Sequence, residues 1–186
     1  MDFTLDQKHE MARYLFREFA EKEVKPLAIE VDETEIFPRE TVTKMAKYGF
    51  LGIPVAKEYG GQGADPLAYV MCVEELSKVC ATTGVIVSAH TSLCADPIAM
   101  YGTPEQKEKY LVPLAKGEKL GAFALTEPNA GTDAQGAVTK AVLDGDEYVL
   151  NGSKIFITNG KEADIYVVIA CTEIKVDAKG RQKKIF

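Results

Sequence analysis

Residues 123–133 read F-A-L-T-E-P-N-A-G-T-D, and residues 151–160 read N-G-S-K-I-F-I-T-N-G. Each contains an apolar, strand-like run that gives way to hydroxyls, amides and glycine. In the first, Pro128 fixes φ and Gly131 permits close backbone approach, while Thr, Asn and Asp side chains can bond neighbouring amides. Two readings stand for that loop alone. It is a turn closed on its own Asx-type bonds, or its exposed amides and hydroxyls line a site for a heteroaromatic ring or a phosphate. In the second segment the pattern predicts a strand over Lys154–Ile157, with Phe156 and Thr158 two apart and on one side. An aromatic face beside a hydroxyl suits a flat, polar-edged ring; a core aromatic beside a satisfied strand end fits the same letters.

Outward from these segments the hydrophobic period changes. From the start to about Gly117 it is helical. Thr4 with Gln7 reads as a capping box, and Met11, Leu15, Phe16, Phe19 and Leu27 give one apolar face down to Pro26 or a little beyond. Pro38 is suited to open a second helix, which Gly49 closes. After the glycine-rich loop at 59–63, Asp65-Pro66 starts a helix carrying Tyr69, Val70, Val73, Leu76 and Val79. The run from Thr83 to Tyr101 is apolar enough to be buried on most sides, and Thr103-Pro104-Glu105-Gln106 opens another helix that ends near Gly117. Beyond it the period is two. Strands are expected at Gly121–Leu125, Val138–Leu143, Tyr148–Leu150, Lys154–Ile157 and Ile165–Ala170, with Asp144-Gly145 and Asn151-Gly152 as turns. The basic stretch 172–186 loses alternation and reads as a tail. The expected organisation is α+β: a helical domain over residues 1–117, a partial antiparallel β-barrel or sheet over 118–171, and the tail.

A formal net charge of −6 at pH 7, with no basic face before the last residues, argues against nucleic acid as a partner. Cys72, Cys80, Cys94 and Cys171 lack C-x-x-C spacing and read as buried reduced thiols. With only His9 and His90, no metal site is expected. No signal peptide and no run of the ~18 apolar residues needed for a membrane span are evident, so a cytoplasmic protein is expected. Gly60-Gly61-Gln62-Gly63 does not follow a strand, which disfavours a dinucleotide fingerprint, and no G-x-S-x-G elbow supports a hydrolase. Glu74 and Glu75 read as solvated or paired with Lys78, and His90 as a satisfied core histidine.

The set L-T-E-P-N-A-G-T-D (125–133), N-G-S-K-I-F-I-T-N (151–159), K-E-Y-G-G-Q-G (57–63), V-E-E-L-S (73–77) and the run from Tyr101 to Gly117 resembles the acyl-CoA dehydrogenase family. The nearest likeness is to its short-chain, butyryl-CoA type. The resemblance implies FAD as cofactor, with Phe123, Leu125, Thr126, Gly131, Thr132, Phe156, Ile157 and Thr158 near the flavin. Phe156 stands where the family often has tryptophan, and Thr158 would bond near flavin N5. Thr132, at a position usually serine, would also touch the acyl-CoA, and Leu93 would line the acyl-chain pocket.

The implied reaction is α,β-dehydrogenation of an acyl-CoA to a trans-2-enoyl-CoA, with electrons passed to an electron-transfer flavoprotein. Residues 1–170 match the family's helical domain and the first half of its β domain. The glutamate base is therefore expected beyond residue 186, in a C-terminal bundle that also completes the FAD site and a homotetramer. No catalytic residue is assigned in this chain, and little activity is expected from these residues alone. The alternatives are a non-catalytic CoA- or partner-binding remnant and an acyl-CoA oxidase-type flavoprotein.

Overall fold

The computed structural model describes residues 4–176, 180 and 182–186. Helix α1 (Gln7–Phe19) runs on through a π turn and a 3-10 turn into α2 (Ala28–Thr34). The helical path thus passes Pro26, which sits within a 3-10 turn. The N-cap of α1 is Asp6, whose carboxylate accepts the His9 amide at 2.9 Å, in place of the Thr4–Gln7 box expected from the sequence. A carboxylate there also complements the helix dipole. The His9 ring bridges Asp6 and Asp65, at 2.8 and 2.9 Å, and Asp65 is itself the N-cap of α4 (Pro66–Val79). One imidazole thereby ties two helix starts together.

Between them, α3 (Arg39–Lys47) follows Pro38 as its N-cap. After α4 come α5 (Ala81–Ser88), a π segment at Ala89–Ala95 and α6 (Asp96–Tyr101). The capping box occurs instead at Thr103 and Gln106, opening α7 (Pro104–Gln106), which continues through a π turn into α8 (Val112–Ala115).

The helices bury Phe16, Phe19, Met45, Phe50, Leu51, Met71, Leu76 and Val87 in one core. Edge-to-face contacts of Phe50 with Phe16 (5.1 Å) and Phe19 (5.0 Å) sit at its centre. Met11 and Leu15, expected on the same apolar face, are exposed. The α1–α4 contact is instead reinforced by Glu75, 2% exposed, which accepts Arg17 and Lys78. The Arg17 hydrogen bond outweighs burial and, with Lys78, holds its carboxyl near 2.

Strand β1 (Gly121–Ala124) pairs with β4 (Ile165–Val168) in parallel, with Phe123 opposite Val167. An antiparallel arrangement was expected throughout. The parallel pair arises because residues 125–164 include an independent hairpin, β2 (Lys140–Asp144) with β3 (Glu147–Asn151), and then return to the same edge. Ile165 and Val167 of β4 pack on a second core of Val55, Cys94, Leu111 and Leu114, which docks the sheet on the helices.

The stretch 154–157 is not a strand. Lys154 turns inward and Phe156 takes a left-handed φ of 56°, which bends the chain there; the turn itself follows at residues 158–162. The basic end is also not a plain tail: β5 (Glu173–Val176) pairs antiparallel with β6 (Gln182–Ile185). Lys184 Nζ fastens that hairpin to the carbonyls of Gly136 and Ala137. No closed barrel forms among the described residues, and none of their helices is long and apolar enough to cross a membrane.

Candidate functional site

The loop after β1 is built on Glu127. Its backbone exchanges two hydrogen bonds with Ala130, both 3.1 Å, closing a reversal at Pro128-Asn129. Its side chain, 3% exposed, accepts the amides of Val138 (2.7 Å) and Thr139 (3.0 Å) and the Lys154 ammonium (2.8 Å). Lys154 also donates to the Leu125 carbonyl at 2.7 Å, and Ile155 N–H donates to the Thr126 carbonyl at 2.9 Å. The two sequence segments are thus joined side by side.

Burial pushes the Glu127 carboxyl upward, but hydrogen bonds from Lys154, Thr139 and Val138 outweigh it and hold the group near 2. An anion so fully engaged is a clamp and not a base. Neither Glu127 nor Lys154 was singled out from the sequence. The only signal was an acidic residue in the first motif, which also carries Asp133, and a lone lysine 27 positions later in an otherwise neutral second motif.

Above the clamp the loop presents Asn129, Gly131 and Thr132 to solvent. A Cβ built on Gly131 meets nothing within 4 Å, so no atom of the described residues requires glycine there. Phe156 is 88% exposed, and its left-handed backbone is an outlier for a bulky side chain. Exposed aromatics held in costly conformations of this kind cluster at ligand-binding sites. It borders an open cavity of about 480 Å³ with Ala124, Ile155, Ile157 and Val168. Thr158 follows in the turn, half-buried. Since 154–158 is no strand, period-two alternation does not determine the relation between Phe156 and Thr158.

Phe123 lies on the opposite face of the β1–β4 pair from Ala124. It borders a second, apolar cleft of about 560 Å³ with Ile98, Tyr101, Ile165 and Val167. The expected site residues therefore divide: Phe156 and Ile157 share one face, and Phe123 occupies the other. Leu125 and Thr126 sit half-buried at the strand end, where the clamp joins the segments. Leu93, 43% exposed in the π segment, lines neither cavity.

His90 is fully buried in that π segment, and its Nδ1 accepts the Gly121 amide at 3.0 Å. Among the described residues no group of three or more His, Cys, Asp or Glu side chains is arranged to hold a metal.

Comparison with known proteins places these features in a family. The acyl-CoA dehydrogenase N-terminal domain pattern matches residues 6–118, and the acyl-CoA dehydrogenase middle domain pattern matches residues 122–185. A short-chain specific acyl-CoA dehydrogenase of Clostridium acetobutylicum is 64% identical over 180 residues, covering 97% of this chain and 48% of that protein. The butyryl-CoA dehydrogenase structure from Megasphaera elsdenii superposes with a TM-score of 0.88 at 47% identity, covering 97% of this chain and 47% of that one. An acyl-CoA dehydrogenase from Bacillus anthracis, solved in complex with FAD, gives a TM-score of 0.85 at 38% identity, over 90% of this chain and 29% of that one. This chain spans about half the length of the curated relatives it matches.

Proposed function

The chain belongs to the acyl-CoA dehydrogenase family, and from that premise we propose that it supplies the helical domain and one side of the flavin site of a short-chain acyl-CoA dehydrogenase. The observation that carries the reading is Phe156, exposed and left-handed, joined through Ile155 to the strand end at Thr126. The open space at Gly131 fits the same ligand, because a flat cofactor can approach that backbone without meeting a Cβ.

FAD, when bound, supplies the acceptor for the hydride leaving the β-carbon of the acyl-CoA. The residues of this chain bind and orient. Leu125, Thr126, Gly131 and Thr132 present backbone and hydroxyl groups to the ring edge, with Phe123 behind the strand. Phe156 and Ile157 cover a ring face, and Thr158 bonds near N5. Thr132 also reaches the acyl-CoA, and Leu93 borders the acyl chain. No base is assigned among these residues: the buried Glu75 and Glu127 are both ion-paired and held near 2, too low for efficient proton abstraction at neutral pH. The proposal extends to an electron-transfer flavoprotein as acceptor and to a homotetramer as the assembly.

The test is a titration of the purified chain with FAD, read by flavin absorbance and fluorescence, followed by butyryl-CoA. Saturable binding with a shifted visible band, perturbed again by butyryl-CoA, is expected. Free-flavin spectra throughout would defeat the proposal. A second reading, a partner-binding module without flavin, draws on the β2–β3 hairpin, whose Val142, Leu143, Tyr148, Val149 and Leu150 are all exposed. Self-association or partner capture by a chain that leaves FAD unaltered would favour it.

A further inference from the structure

The first residue of β1 is held by two buried side chains that come from different parts of the chain. Gly121 N–H donates to His90 Nδ1 at 3.0 Å, and its carbonyl accepts Asn159 Nδ2 at 3.1 Å. Asn159 also donates to the Ile86 carbonyl at 3.2 Å, one helical turn before His90. The fit is close: a Cβ on residue 121 would lie 2.7 Å from both Cβ and Sγ of Cys94. One residue earlier, Asp164 accepts the Leu120 amide at 2.9 Å and its own amide donates to the Leu120 carbonyl at 2.8 Å.

Both side chains are costly where they stand. The His90 ring lies against the backbone of Leu114 and Leu51, but its Nε2 has no well-formed hydrogen bond, and Asn159 Oδ1 has no partner, among the described residues. Burial also drives the His90 ring down to about 4, so it is neutral at physiological pH. Accepting at Nδ1 then requires the Nε2–H tautomer. Asn159 further adopts a φ of 64°. An apolar core would avoid unpaired polar atoms, so their presence calls for a reason other than burial.

Their placement supplies one. Gly121 begins the strand that leads to Phe123, Leu125 and Thr126, and Asn159 immediately follows Phe156-Ile157-Thr158. The two segments are joined at one end by the Ile155–Thr126 bond and at the other by Asn159 on Gly121. We propose that His90 and Asn159 are positioning residues, which together fix Gly121 and so set the separation and register of the two cofactor-facing segments. This rests on the flavin reading above for what the segments meet, but not for the hydrogen-bonded lock itself.

The chain has no tryptophan and eight tyrosines, so Phe156→Trp introduces a single indole, excited selectively over tyrosine, whose quenching reports FAD binding. In that background His90→Leu and Asn159→Ala are expected to weaken FAD binding about tenfold, the effect of losing one buried hydrogen bond. They should also speed amide exchange at Ile155 while thermal unfolding stays cooperative. His90→Asn keeps an acceptor where Nδ1 stood and should restore both readouts, which a mere packing role would not. Folded variants with unchanged Ile155 exchange and unchanged FAD affinity overturn the proposal.

If a variant does not fold, nitrogen-15 NMR of the unsubstituted chain decides. A bare Nδ1 with a protected Gly121 amide supports the lock, and a protonated Nδ1 refutes it. Free-flavin spectra on titrating the unsubstituted chain with FAD would defeat the flavin reading and leave the lock to be judged on Ile155 exchange and the tautomer.

Discussion

In the helical region Met45, Cys72, Leu76 and Val87 are wholly removed from water, whereas in the β2–β3 hairpin Val142, Leu143, Tyr148, Val149 and Leu150 stand 46–59% exposed. The helices close an apolar core around Phe50, with Glu75 stapling α1 to α4. The β region has no comparable core of its own among the described residues. Its loops are held by a few polar contacts: Gly121 with His90 and Asn159, which are buried, and Glu127 with Lys154 and Leu120 with Asp164, which are part-buried. Packing tolerates small shifts and degrades gradually, whereas a polar clamp fails when one partner is lost. The two regions should therefore break in different ways.

The largest effect should come from Glu127→Ala, which strands the Lys154 ammonium and two amides in a buried site. A loss on the order of 3–5 kcal/mol is expected. Amide exchange should show it in residues 121–160 before the helices, while Met45→Ala, at roughly 2–5 kcal/mol, should lower the helical protection. If Glu127→Ala weakened both regions equally, the contrast between them would be wrong.

Acid should act on the β region in two steps. His90 sits below its ordinary 6.5, so the unfolded chain binds more protons between 6.5 and about 4, and stability falls as pH drops through that window. Glu127 lies below its ordinary 4.5, so its contribution is present above 4.5 and disappears as pH falls toward about 2, a window it shares with Glu75 of the helical region. Urea midpoints against pH should show both slopes, and His90→Asn should remove only the upper one. His9 acts in the reverse sense. Its pKa is raised, first by Asp6, so its small contribution at the α1 and α4 starts is full below 6.5 and is lost as pH rises through the raised value.

The smallest effect should be at the hairpin. Tyr148→Ser and Leu143→Ala, both on exposed positions, should change stability by no more than about 0.5 kcal/mol, measured by urea unfolding.

What could be read in advance follows the same contrast. The helices and the β2–β3 turn were legible because periodicity and turn chemistry are local. Residues 154–157 were misread as a strand because the lysine that bends them inward answers a glutamate far back in the chain. The last hairpin was hidden by its own charge. Lys175 stands directly opposite Lys183, a pairing that disfavours a strand reading, and its anchor at Gly136 and Ala137 is long-range. The motif residues were identifiable by type, but their division between two faces of the β1–β4 pair was not, because a parallel pairing cannot be inferred from alternation alone.

The central claim is that Phe156 is held in a strained, exposed conformation in order to meet FAD. Replacing it with glycine tests this directly, because glycine relieves the left-handed backbone while removing the ring. Flavin titration and thermal unfolding of Phe156→Gly should diverge, with FAD affinity reduced at least about tenfold and the unfolding midpoint unchanged or raised. Retained FAD affinity together with a lowered midpoint would show that Phe156 serves the fold, and would contradict the account.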